Sequence, residues 1–158
     1  MIRTLFRTPP IVALALCAAL AGCSKPADYE TLSGDSGRFS DLHGRWVFVN
    51  YWAEWCKPCI KEMPELKAFS DQYAQQAAVL TVNFDGPDRA RLAEQVKKLN
   101  VQVPVLVADP AALLGIEKPL GLPSTYVFDA QGKFVTKLEG EQTVASLAAV
   151  MAQAPAQP

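Results

Sequence analysis

Apolar positions in this chain fall into two patterns: short continuous blocks, and blocks recurring every three or four residues. Residues 46–52 form a continuous apolar and aromatic run broken only by Asn50, which predicts a strand buried on both faces. Residues 79–84, 103–108 and 125–128 read as further strands, and Gln131-Gly132 predicts a turn into a last strand at 133–138. A helix is expected over about 56–77. A second is expected over 88–99, where Leu92, Val96 and Leu99 share one face and Pro87 suits the first turn. A third, over 144–152, closes the domain. Upstream, 29–32 and 37–39 flank the turn Ser33-Gly34-Asp35-Ser36 and predict an N-terminal edge hairpin. Strand and helix alternate in the first half and a hairpin follows in the second. This order predicts an α/β domain with a mixed central sheet and helices on both faces.

The start of the chain reads as an address. Residues 11–20 are apolar, Arg3 and Arg7 precede them, and the run closes in Leu20-Ala21-Gly22-Cys23. Ten apolar residues are too few to span a bilayer as a helix but suit a cleaved leader. The closing tetrapeptide resembles the lipobox of bacterial lipoproteins, whose cysteine becomes the lipidated first residue; the alternative is an ordinary leader followed by a stray cysteine. The lipobox reading divides the chain into a leader (1–22), a tether lipidated at Cys23 (23–28), one domain (29–152) and an Ala/Pro/Gln tail (153–158). Ser24 resembles an outer-membrane sorting residue. The chain carries 15 basic and 16 acidic side chains. Losing Arg3 and Arg7 with the leader leaves thirteen against sixteen, a net charge of −3, which is no footprint for nucleic acid. Two free thiols then remain, Cys56 and Cys59, in an oxidising compartment where they must pair with each other or with something else.

The candidate chemistry lies in Tyr51-Trp52-Ala53-Glu54-Trp55-Cys56-Lys57-Pro58-Cys59, a CxxC where a buried strand ends and a helix begins. A helix N-terminus presents unpaired N–H groups and the positive end of the macrodipole, which stabilise a thiolate there. Cys56 is therefore the expected nucleophile. Cys59, about one turn on, is the expected resolving thiol. Two blander readings compete. A structural disulfide closing so short a loop removes little unfolded-state entropy. A zinc site needs four ligands, and the processed chain offers two thiols and one imidazole, His43, which reads as a loop residue.

The run 47–59 resembles the active-site strand and turn of thioredoxins. Asp41-Leu42-His43-Gly44-Arg45 and Gly121-Leu122-Pro123-Ser124-Thr125-Tyr126-Val127-Phe128-Asp129 resemble the TlpA-like and ResA-like membrane-anchored branch. Over about 29–150 the resemblance implies a thioredoxin fold with an added strand and helix between Thr81 and Asp109, and a cis bond before Pro123. It further implies that Pro123 faces the disulfide, that the Leu122 backbone receives an extended substrate segment, and that Trp55, Lys57 and Pro58 form the rest of the substrate surface. Where thioredoxin has a buried aspartate this chain has Asn50, which is neither acid nor base. In the branch a glutamate three residues after the second cysteine takes over proton handling. Glu62 matches it, and i, i+3 spacing puts it beside Cys59; the alternative is a solvated surface glutamate, flanked as it is by Lys61 and Glu65. Pro64 is expected to kink the helix.

The resemblance thus implies a disulfide reductase of the periplasm, a monomer with no cofactor beyond its own disulfide and no bound metal. Its substrates would be protein disulfides and its electron donor a DsbD-like membrane protein. A disulfide oxidase or isomerase is the alternative within the same chemistry, and a Cu(I)-binding metallochaperone the alternative outside it. Pro58 resembles reducing members, while the ammonium of Lys57 pulls modestly the other way. Dedicated cytochrome c maturation members have an acidic residue after the cis proline, where this chain has Ser124.

Overall fold

The computed structural model describes residues 25–153; the leader, Cys23, Ser24 and the tail from 154 onward lie outside the described residues. In chain order the elements are β1 (Tyr29–Glu30), β2 (Ser36–Gly37), a 3₁₀ turn (Phe39–Leu42), β3 (Trp46–Trp52), α1 (Lys57–Gln72) and β4 (Ala77–Asn83), followed by α2 (Arg89–Lys98), β5 (Val105–Leu106), α3 (Ala111–Leu114), β6 (Ser124–Phe128), β7 (Phe134–Glu139) and α4 (Val144–Gln153). The main sheet runs β5-β4-β3-β6-β7. β3 pairs parallel with β4 and antiparallel with β6, so it lies in the middle of a mixed sheet.

The period-two alternation of β3 divides the core. Phe48 and Trp52 join Leu66 and Phe69 of α1, Leu92 of α2 and Leu147 of α4 on one face. Val47, Val49 and Tyr51 face the other way, toward Tyr29, Phe39 and Leu42, with Leu114 of α3 and Ile116 completing that layer. Helices therefore flank both faces, but unequally: the three long ones share a side, and the opposite side is closed by short N-terminal pieces and one helical turn.

Several element boundaries differ from the sequence expectation. The helix from the CxxC ends at Gln72 rather than 77, because Ala77 is the parallel partner of Trp46 and residues 73–76 must turn to reach it; Gln76 N donates to Tyr73 O at 2.8 Å. Sheet pairing here overrides the helical propensity of the stretch Ala74-Gln75-Gln76-Ala77-Ala78. β1 and β2 are two residues each, shorter than expected, because the chain after Glu30 leaves the hairpin for β5: Thr31 bridges Leu106, and Leu32 N donates to Val105 O at 2.7 Å. The Tyr29 side chain lies over Gly37 of β2, so that a Cβ there would meet its hydroxyl at 2.8 Å and the ring would have to shift. β5 is two residues rather than six, following Pro104, which has no N–H to give a ladder. α3 has no counterpart in the sequence reading; one helical turn is too short to show a period. Helix α1 continues through Pro64.

Candidate active site

β3 delivers the site. It ends at Trp52, the turn at 53–55 follows, and Cys56 becomes the N-cap of α1, with φ −84° and ψ 92°. In that position its sulfur accepts a hydrogen bond from Cys59 N at 3.3 Å, taking one of the amides a helix start leaves without a partner. Pro58, in the first turn, has no N–H to leave unpaired. Cys56 and Cys59 are joined by a disulfide with a Cα–Cα separation of 5.3 Å, and both are buried.

The Leu122–Pro123 peptide is cis. β6 starts at Ser124 opposite Tyr51, so the same register carried one step further sets the buried Pro123 opposite Trp52, at the end of the sheet where α1 begins. Pro123 O accepts from Gly140 N at 2.9 Å. Leu122 is half-buried against both core layers, Lys57 is exposed, and Pro58 is half-buried. Trp55 is 64% exposed, and its indole N–H donates to Asp85 Oδ2 at 2.9 Å. Glu54 accepts from Arg91, Gln95 and Lys98 of α2, and the Lys98 hydrogen bond leads the interactions that hold its carboxyl below the usual range.

Glu62 is 1% exposed, which removes the solvated-glutamate reading. Asn50 Nδ2 donates to its Oε1 at 2.9 Å and Gln142 N donates to its Oε2 at 2.8 Å. Burial pushes the carboxyl up to about 7; the hydrogen bonds from Gln142 and Asn50 oppose that shift, and the nearby Glu141 charge adds to it. A carboxyl in this range, one turn from Cys59, exchanges protons near neutral pH. Asn50, which is no acid or base, thus orients one, and it also donates to Thr125 Oγ1 at 2.9 Å. Asn50 Oδ1 and Trp52 Nε1 are buried on the same side of β3 without partners among the described residues.

Sequence reasoning named both cysteines, Glu62 and Pro123, and the fold gathers them at one end of the sheet. It missed Gln142, which acts through its backbone and so leaves no side-chain signature. It also missed Thr125, Asp85 and Gln95. Gln95 had a signal: it lies three residues after Leu92 and one before Val96, a polar residue on the apolar face of α2.

The AhpC/TSA family model matches residues 24–137. The thiol-disulfide oxidoreductase ResA of a Bacillus cereus strain is 33% identical over 113 residues, which cover 71% of this chain and 65% of ResA, just under two thirds of its length. The thioredoxin-like protein YneN of Bacillus subtilis (strain 168) is 32% identical over 124 residues, covering 72% of this chain and 71% of YneN. Among solved structures, the exposed lipoprotein thioredoxin Etrx1 of Streptococcus pneumoniae strain TIGR4 superposes with a TM-score of 0.68 at 25% identity, covering 78% of this chain and 96% of that one.

Proposed function

The chain belongs to the AhpC/TSA family of the thioredoxin superfamily, and we propose that it is a thiol–disulfide oxidoreductase that reduces protein disulfides through Cys56 and Cys59. The observation that carries this reading is the disulfide across the first turn of α1, with Cys56 as the helix cap. The Cys56 thiolate attacks one sulfur of a substrate disulfide; a bond forms from Cys56 Sγ to that sulfur, the substrate S–S bond breaks, and the departing thiolate takes a proton from water. Cys59 then gives its proton to the Glu62 carboxylate and attacks Cys56 Sγ. The mixed disulfide breaks, the second substrate thiolate leaves, and the Cys56–Cys59 disulfide forms. Two electrons have passed from protein to substrate.

In this reading Pro123 and Leu122, before the start of β6 at the end of the sheet where α1 begins, accept an extended substrate segment, with Trp55, Lys57 and Pro58 as the surrounding surface. The protein acts as a monomer on the periplasmic side, held by a lipid on Cys23, and a DsbD-like membrane donor returns it to the dithiol form. The leader pattern supports the anchor, as does the description of the pneumococcal relative as an exposed lipoprotein. Ser24 supports attachment to the outer membrane. Pro58 supports the reducing direction.

Turnover of insulin disulfides by the full chain, with dithiothreitol as electron source, tests the activity. Cys56→Ser is expected to abolish it, and Cys59→Ser to accumulate a mixed disulfide visible by mass spectrometry. Wild-type turnover by Cys59→Ser would overturn the assignment of the resolving thiol. Stoichiometric Cu(I) binding by a dithiol form that reduces no disulfide would favour the metallochaperone.

A further inference from the structure

The residues just before the nucleophile are tied to α2 by a closed ring of hydrogen bonds. Trp55 Nε1 donates to Asp85 Oδ2 at 2.9 Å, and Asp85 N donates to Asn83 Oδ1 at 2.9 Å. Asn83 Nδ2 donates to Gln95 Oε1 at 2.9 Å, and Gln95 Nε2 donates to Glu54 Oε2 at 2.8 Å. The Glu54–Trp55 peptide bond closes the circuit. Asn83 and Gln95 are both buried.

The orientation of each amide follows from its partner. Asp85 N can only donate, so the carboxamide oxygen of Asn83 must face it and the nitrogen must face Gln95. Gln95 then accepts from Asn83 through Oε1, leaving its nitrogen for the Glu54 carboxylate. Arg91 and Lys98 reach the same carboxylate from α2 at 2.9 and 2.8 Å, but both are exposed, where such pairs contribute little. The buried carboxamide is the fixed link.

We propose that Gln95 is a positioning residue: through the ring it holds the exposed Trp55 indole in one orientation beside Cys56, so that the substrate surface is set before a protein disulfide arrives. Without the ring the indole, 64% exposed, would be less restrained, and each approach of a substrate would have to order it, at a cost in affinity. Gln95 touches neither thiol, so its effect falls on binding rather than on the exchange step. This rests on the reading of Cys56 as the nucleophile of a disulfide reductase.

Gln95→Met keeps the length of the side chain and removes both hydrogen bonds. In the full chain the Trp55 indole N–H, followed by ¹⁵N NMR, should exchange with solvent faster than in wild type. KM for a protein disulfide should rise roughly threefold to tenfold while kcat stays within about twofold. In a Trp55→Phe background, which already lacks the end of the ring, Gln95→Met should add nothing further to KM. Unchanged indole exchange, or KM increases that multiply in the double variant, would overturn the proposal. Asp85→Ala cuts the ring at an exposed link and supplies the same comparison if Gln95→Met does not fold: faster exchange and a comparable KM rise support the ring, and wild-type values refute it. A wild-type chain that reduces no protein disulfide would end the proposed function instead, while the indole exchange still decides whether the ring orients Trp55.

Discussion

At the scale of single residues, the buried Glu62 gives two expectations of opposite sign, one for stability and one, on the proposed mechanism, for rate. Burial raises its carboxyl from 4.5 to about 7, so between those pH values the folded chain holds a proton that the unfolded chain has released. The resulting stabilisation is complete below about pH 4.5 and is lost as pH rises through about 7. At about 1.4 kcal/mol per unit the loss is on the order of 3 kcal/mol. Urea unfolding of the oxidised protein should therefore give a lower free energy at about pH 8 than at about pH 5, and Glu62→Gln should flatten the difference; an equal slope in the variant would show that another group causes it. On the proposed mechanism exchange runs the other way, because the carboxylate is the form that would take the Cys59 proton. Turnover should rise with pH through about 7, and Glu62→Gln should slow it by roughly 10²-fold and remove that rise. The i, i+3 spacing placed Glu62 one helical turn from Cys59 on the sequence alone. The burial of Glu62 was not, because Lys61 and Glu65 on either side suggest a wet surface, whereas it is the docking of the 140–143 segment that covers the side chain.

At the scale of elements, the long apolar runs announced β3, β4 and β6, since a strand buried on both faces needs little beyond its own composition to be recognised. Their ends were less legible. The end of α1 is set by the pairing of Ala77 with Trp46, a partner so distant in the sequence that no local pattern reveals it. α2 was read from Leu92, Val96 and Leu99 as a packing helix, and the buried Gln95 between them gives it a second role. The junction of α1 with α4 is likewise built from backbone amides: Glu65 Oε2 accepts from Val144 N at 2.9 Å, beside the Glu62 contact with Gln142 N. Glu65 serves α4 as a capping side chain from another helix, and Glu65→Ala should cost about 1 kcal/mol. Chemical denaturation measures that loss. Insulin turnover at a pH where Glu62 is ionised should stay near wild type, and a drop comparable to that of Glu62→Gln would show that the two carboxylates act together.

At the scale of the whole molecule, the central strand connects stability with chemistry. β3 is hydrogen-bonded on both sides, contributes Phe48 and Trp52 to one core layer and Val47, Val49 and Tyr51 to the other, and ends at the reactive turn. The layer holding the three long helices also holds both cysteines and surrounds Glu62, so loosening it should disturb the site. Leu147→Ala, in the fully buried contact of α4, should cost about 2–5 kcal/mol; thermal or urea unfolding measures it, and a loss below about 1 kcal/mol would mean that α4 is not integral to the core. The central claim is that Cys56 and Cys59 cycle between disulfide and dithiol as a reductant. Its most direct test is the midpoint potential of the full chain, equilibrated in dithiothreitol or glutathione buffers and followed by Trp fluorescence. A single two-electron transition near the thioredoxin value of about −270 mV is the expected result, and a value near the strong-oxidant end, about −120 mV, would contradict it.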